Sequence, residues 1–192
     1  MLAALLLALV GGAALFLFGR ALATEAATDG KLVQRLIELA VEDQAAARRL
    51  LLEHPELLAA RYLHDETPLH FCAVEGHLQG VRFLAEAGVP VDAVNAFGDT
   101  ALIDAAALGN LGVVRALLRL GANPNVASPT RGPALHAAVE RGEGGVVAAL
   151  LDAGARADYV TDRGETVWAA VPKATPKRDE ILRVLESHGA KP

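Results

Sequence analysis

The stretch TPLHFCAVEGH, residues 67–77, holds a threonine, two histidines, a glutamate and the single cysteine of the chain. Cys72 and His70 lie close enough in sequence to form a Cys/His nucleophile pair. His64, Asp65, Glu66 and His70 carry the nitrogen and oxygen donors that suit zinc. Either chemistry requires these side chains to turn toward one another. The elements that carry them decide whether they do.

Elsewhere the chain offers no catalytic constellation. GxxxxGKS/T, HExxH, GxSxG and CxxC are all missing, and acid pairs such as Asp179 and Glu180 read as solvated helix ends. The net charge is −5, with lysines and arginines scattered rather than drawn into the basic stripe that nucleic-acid binding needs. One cysteine leaves no intramolecular disulfide framework. No cofactor, nucleic acid or small-molecule substrate is implied.

At 192 residues the chain suits one globular domain with material left for a tail or anchor. Hydrophobic residues make up 53% but aromatics only 4%, and the apolar mass is alanine, leucine and valine. Alanine and leucine favour helices, and apolar–polar alternation is scarce. An all-α fold is expected.

A period of 33 residues organises the chain. Counting forward from Thr67, which opens TPLH, reaches Thr100 of TALI, Pro133 of PALH and Thr166 of TVWA. Gly76, Gly109 and Gly142 keep the same step, as do Gly88, Gly121 and Gly154. Within one unit Thr67 can cap a helix, with Pro68 in its first turn. Leu69, Cys72 and Ala73 then share a narrow apolar face. Leu78, Val81, Phe83 and Leu84 pattern a second helix that Gly88 can end in a left-handed conformation. A turn-rich finger of about ten residues leads to the next cap.

TPLHFCAVEGHLQGVRFLAEAG, TALIDAAALGNLGVVRALLRLGANPN and PALHAAVERGEGGVVAALLDAGA together resemble an ankyrin-repeat protein, clearly so over residues 65–164. The resemblance implies a solenoid of stacked helix pairs with finger loops. We divide it into an N-terminal capping repeat at 31–64, repeats at 65–97, 98–130 and 131–163, and a C-terminal capping repeat at 164–192. Residues 31–41 and 44–53 pattern two amphipathic helices of a degenerate first repeat. TVWAAV starts a further helix that Pro172 cuts short. The resemblance also implies that His70 and His136 hydrogen-bond locally to stabilise the turns. Cys72 falls in the small buried column of Ala105 and Ala138, as an unreactive apolar side chain.

A stack of this kind aligns its fingers beside the inner helices as an elongated surface for another protein. The resemblance places contacts on fingers 61–66, 94–99, 127–132 and 160–165 and on outward inner-helix positions. The partner-binding candidates are Phe71, Glu75, Phe97, Asp99, Asp104, Leu108, Glu140 and Arg141. Phe97 and Leu108 are apolar where a solvated position needs no such residue. Phe97 either anchors a partner or packs on an adjacent finger. With Asp99, Asp104 and Glu75 as an acidic border, the expected partner has a basic rim around an apolar centre. In the third finger Gly132 falls one place later than Gly98 or Gly164, and Pro133 replaces the capping threonine, so a different loop shape is expected there.

Residues 1–19, MLAALLLALVGGAALFLFG, carry no charged or polar side chain. As a helix they would extend about 28 Å, close to the hydrocarbon thickness of a bilayer. A single-pass anchor is expected, with 20–30 as a linker. Arg20, Lys31 and Arg35 would hold the repeats on the cytoplasmic side. The competing reading is an export signal cleaved after Ala21-Leu22-Ala23, leaving a soluble periplasmic or secreted protein that serves as an effector or as a protective or immunity factor in the envelope.

Overall fold

The computed structural model describes residues 30–162, 164–173 and 177–190. The expected anchor at 1–19 and all but the last residue of the linker lie outside them. Among the described residues no helix is long and apolar enough to cross a membrane.

Two helices open the stack, α1 (Gly30–Glu42) and α2 (Gln44–Glu53), close to the boundaries that periodicity predicts. Asp43 separates them by accepting from the Ala46 N–H at 3.0 Å. Helix α1 buries Val33, Leu36, Ile37, Leu39 and Ala40 and packs on both helices of the next repeat. That coverage closes one end of the core.

Three helix pairs follow: α3 (Pro68–Val74) with α4 (Leu78–Ala87), α5 (Ala101–Leu108) with α6 (Leu111–Arg119), and α7 (Ala134–Arg141) with α8 (Gly144–Asp152). Helices α3, α5 and α7 pack in one row, and α4, α6 and α8 in a second. Leu69, Leu102 and Leu135, one per inner helix, are buried at the same step and join a single continuous core.

The start of α3 shows why this sequence turns helical there. Thr67 Oγ1 accepts from the His70 N–H at 3.4 Å, and His70 Nδ1 accepts from the Thr67 N–H at 3.2 Å. Two donors that the helix would leave unpaired are thereby satisfied.

Between pairs the chain projects as hairpin fingers. Val94 bridges Thr100 and Val160 bridges Thr166. In the third finger β1 (Ala127–Ser128) pairs antiparallel with β2 (Gly132–Pro133), Ala127 opposite Pro133. That pairing sits at the same step as the other two, so the register of the third finger matches theirs. The expected difference in shape is confined to the tip, where Arg131 stands at the place of Gly98. Gly98 itself adopts a φ of 78°, and a Cβ there would meet Pro129 of the next finger at 2.6 Å. Only glycine fits that approach.

A last helix, α9 (Arg178–Ser187), packs on α8 and buries Ile181 and Leu185. The helix expected from TVWAAV is reduced to short turns, with Ala169 N–H on the Thr166 carbonyl at 3.0 Å. Pro172 disfavours helical backbone at Val171, which leaves too few residues to propagate a helix. Val167 and Val171 still reach the core.

Candidate binding face

The fingers are stiffened from within and tied to one another. Asn95 Oδ1 accepts from the Phe97 and Asp99 N–H groups at 2.9 and 3.0 Å, folding the second finger so that Phe97 stands at its tip. Arg61 Nη1 donates to the Val94 carbonyl at 2.8 Å, the Ala96 N–H to the His64 carbonyl at 2.8 Å, and Ser128 Oγ to the Phe97 carbonyl at 3.2 Å. Three successive fingers are thus one hydrogen-bonded row.

The candidate residues divide into two groups on this row. Phe97 is 50% exposed and its ring lies 5.5 Å from that of His64, so it packs on the first finger and still offers half its surface. Leu108 is 42% exposed at the end of α5, and Val74 is similarly open at the end of α3. Glu75, Glu140 and Arg141 are exposed, while Phe71 is half-buried against the core.

Asp99 and Asp104 differ from the expected acidic border. They are only 2% and 8% exposed. Arg131 of the third finger reaches back over them, with Nε 3.3 Å from Asp99 Oδ2 and Nη1 4.0 Å from Asp104 Oδ1. Burial pushes the Asp104 carboxyl up to about 6; the Asp99 charge and Glu66 add to the rise and Arg131 opposes it. These aspartates hold the second and third fingers against α5 rather than meeting solvent.

The two TPLH-type histidines part company. His70 Nδ1 faces the Thr67 N–H and hydroxyl, so its Nε2–H donates to the Asp99 carbonyl at 3.0 Å. Burial lowers its pKa and keeps that neutral form. His136 was expected to bond in the same way and does not. Pro133, in the place of Thr67, has neither N–H nor hydroxyl, and among the described residues no hydrogen-bond partner reaches the two buried ring nitrogens of His136.

The nucleophile and zinc arrangements do not assemble. The Cys72 thiol is buried, and burial pushes its pKa up to about 12, the opposite of an activated thiolate. His64 and Asp65 sit exposed in left-handed backbone at the first finger. Among the described residues no three His, Cys, Asp or Glu side chains gather to hold a metal ion.

Reasoning from sequence passed over Arg131. Arg131 lies in the finger set apart for its displaced glycine. The unpaired state of His136 was signalled by Pro133 in the threonine column, since threonine and histidine occur together in the helix-opening segment only at Thr67 and His70.

The family profile "Ankyrin repeats (3 copies)" matches residues 25–128, more than half of the chain. The chain belongs to the ankyrin-repeat family. It is similar to the serine/threonine-protein kinase VIK of Arabidopsis thaliana, 41% identical over 63 residues that make up 33% of this chain and 14% of the kinase. It is similar too to the probable E3 ubiquitin-protein ligase XBOS33 of Oryza sativa subsp. japonica, 39% identical over 74 residues, 38% of this chain and 14% of that protein. The chain therefore matches only a small part of these relatives. Ankyrin repeats are protein–protein interaction modules and generally not enzymes, and the region shared here consists of repeats alone.

Proposed function

We propose that this protein is a non-enzymatic interaction module, held at a bilayer by residues 1–19, that captures one partner protein on its finger and inner-helix face. The observation that carries the reading is the set of half-exposed apolar side chains, Val74, Phe97 and Leu108, on a row of mutually bonded fingers and stacked helices. Apolar anchors on a rigid, preorganised support are what protein interfaces use. The acidic Glu75 and Glu140 favour a partner with a basic rim. Neither nucleic acid nor a small-molecule substrate has a part in this reading. The uncharged N-terminal run supports the anchor, and positive charge after it supports a cytoplasmic stack.

Affinity purification of the full-length protein from solubilised membranes tests the capture. The wild type should retain a partner that Phe97→Ala and Leu108→Ala lose, while Arg115→Glu and Arg119→Glu on α6 retain it. Loss through the α6 variants alone would put the face on the other side. The anchor predicts that the chain resists an alkaline wash and keeps Met1. A mature N-terminus at Thr24, with the protein released to the soluble fraction, would instead establish the exported form.

A further inference from the structure

Arginines that lie far apart in the chain are brought together on α4 and α6 of the outer row and on α2 beside them. Arg49, Arg82 and Arg115 keep the 33-residue step of the repeats. Arg48 precedes the first of these, Arg119 lies one turn after the last, and all five are exposed. We propose that this face rests on an anionic bilayer surface, so that the stack lies along the membrane with its finger and inner-helix face free for the partner. The proposal rests on the anchor reading and adds to it the protein surface that meets the lipid.

The first argument is charge. Helices α2, α4 and α6 hold these five arginines against two carboxylates, Glu53 and Glu86, in a chain whose net charge is −5. Among the described residues none of the five forms an ion pair. Arg48 instead lays its guanidinium 5.2 Å over the Phe83 ring, and Gln44 Nε2 donates to the Gln79 carbonyl at 3.5 Å, so α2 and α4 present one surface. The basic column stops at α8, where Ala148 and Asp152 take the places of Arg115 and Arg119. Positive charge is thus gathered on the helices that follow residues 1–19 most closely in sequence. Attraction to lipid phosphates is screened within about 8–10 Å, so it acts where the protein lies against the membrane.

The second argument is Leu52. It is 83% exposed, and it follows Arg49 and Arg48 by three and four residues on the same face of α2. A nucleic-acid backbone would pair with the arginines and leave this leucine in water. A bilayer takes both, with the leucine at the acyl boundary and the guanidinium groups among the phosphates. Leu118 repeats the combination on α6, in a shallow groove of about 340 Å³ that Arg115 and Arg119 also line. The tether allows the placement. Helices α1 and α2 pack together across the single residue Asp43, which sets them antiparallel and brings Leu52 to the end of the pair where the chain enters at Gly30. Residues 20–29 reach at most about 33–36 Å, well beyond the diameter of one helix, so α2 can lie flat beside the anchor.

The test uses the full chain reconstituted into vesicles of phosphatidylcholine alone and of an equal mixture with phosphatidylglycerol. Gln79→Cys, exposed one turn before Arg82, carries a fluorophore on its thiol, and Ala96→Cys in the second finger carries the same label as a control. Cys72 is buried and stays unlabelled. Both vesicle types include a lipid with a spin-labelled headgroup that quenches on contact. We expect quenching at residue 79 to be at least about twofold stronger in the anionic vesicles, to fall back in high salt and to be absent at residue 96. Arg49→Gln, Arg82→Gln and Arg115→Gln combined should abolish the difference, lysine at the same three places should keep it, and Leu52→Ser should reduce it. Equal quenching in the two vesicle types, or a difference that the glutamine variant keeps, would overturn the surface and leave the anchor standing. An oligoglutamate peptide that binds the detergent-solubilised wild type but not the glutamine variant, with no difference between vesicles, would assign the face to an acidic protein and overturn the proposal as well. A chain that floats with neither vesicle type would remove the anchor reading, and this surface with it.

Discussion

Arg131, at the tip of the third finger, places its Nε 3.3 Å from Oδ2 of Asp99 at the base of the second. Asp99 is 2% exposed and its other carboxylate oxygen has no partner among the described residues, so this one guanidinium carries most of its compensation there. Removing one member of such a pair leaves a buried charge without an opposite. Arg131→Ala should therefore lower stability by about 1–3 kcal/mol, below the figure for fully buried pairs because Arg131 itself is half-exposed. Arg131→Lys should recover only part, since the planar fork is lost. Urea denaturation of both variants beside the wild type measures it. An unchanged midpoint for Arg131→Ala would mean that the contact does not hold the fingers.

Asp104 supplies a pH test whose sign follows from its environment. Its carboxyl is raised from 3.8 to about 6 in the folded chain, chiefly by burial. The folded state thus holds a proton that the unfolded state has released between those two values. This contribution to stability is fully present below 3.8 and is lost as pH rises through about 6. Asp104→Asn removes the titration. It should be more stable than the wild type at pH 7, by about 1–2 kcal/mol once partial solvation is allowed for, and the gap should close near pH 4. His70 and His136 act in the opposite sense. Burial lowers their pKa values below 6.5, so their share is lost as pH falls from there. Thermal melts of variant and wild type across this range isolate the Asp104 part.

How far these features could be read from the sequence depends on how local their causes are. The cap at Thr67 and Pro68, the buried face of Leu69, Cys72 and Ala73 and the ends of α1 and α2 follow from neighbouring residues and are found where the pattern puts them. Asp99 and Asp104 are not legible in that way. Polar residues in a finger and on an outward helical column read as solvated, and their burial depends on an arginine about thirty residues away folding back over them. The shift of Gly132 suggested a different third finger. The bridge of Ala127 to Pro133 is a backbone pairing that does not need glycine at the tip, so the register held.

Core packing gives a test of the repeat period itself. Leu102 and Leu135 lie one repeat apart, both essentially fully buried between neighbouring inner helices. Alanine at either should cost about 2–5 kcal/mol in chemical denaturation. The two losses should be similar because the sites are equivalent. A cost below about 1 kcal/mol at one of them would show that the third repeat is not packed as the second is.

At the exposed end of the scale, Phe97→Ala should separate binding from folding. The ring is half out in solvent and packs on His64 of the neighbouring finger. Its loss should lower stability by no more than about 1 kcal/mol. Truncating an aromatic anchor at an interface typically costs about 2 kcal/mol or more, roughly a thirtyfold loss in affinity. Calorimetry of the variant beside a partner pull-down distinguishes the two. A large drop in melting temperature with capture intact would make Phe97 a packing residue of the first two fingers.

The last test lies where the first repeat exchanges volume between two helices. Cys72 on α3 faces Gly80 on α4, and a Cβ on that glycine would come to 2.7 Å from Cys72 Sγ and 3.1 Å from Val41 Cγ2. One period later the same positions hold Ala105 and Val113, and two periods later Ala138 and Val146, all buried. A larger side chain on the inner helix is thus matched by no side chain on the outer one. Gly80→Ala alone should overpack the site and cost about 1–3 kcal/mol, despite the better helix propensity of alanine. Cys72→Ala alone should leave a small void and cost no more than about 1.5 kcal/mol. Joined, the two changes should recover most of either loss, a coupling that a double-mutant cycle reads directly. The same thiol, buried and held up to about 12, should resist alkylation in the folded protein and react only on unfolding. Additive losses in the cycle would mean that the two helices do not share this volume, and rapid native alkylation would mean that Cys72 is not enclosed by it.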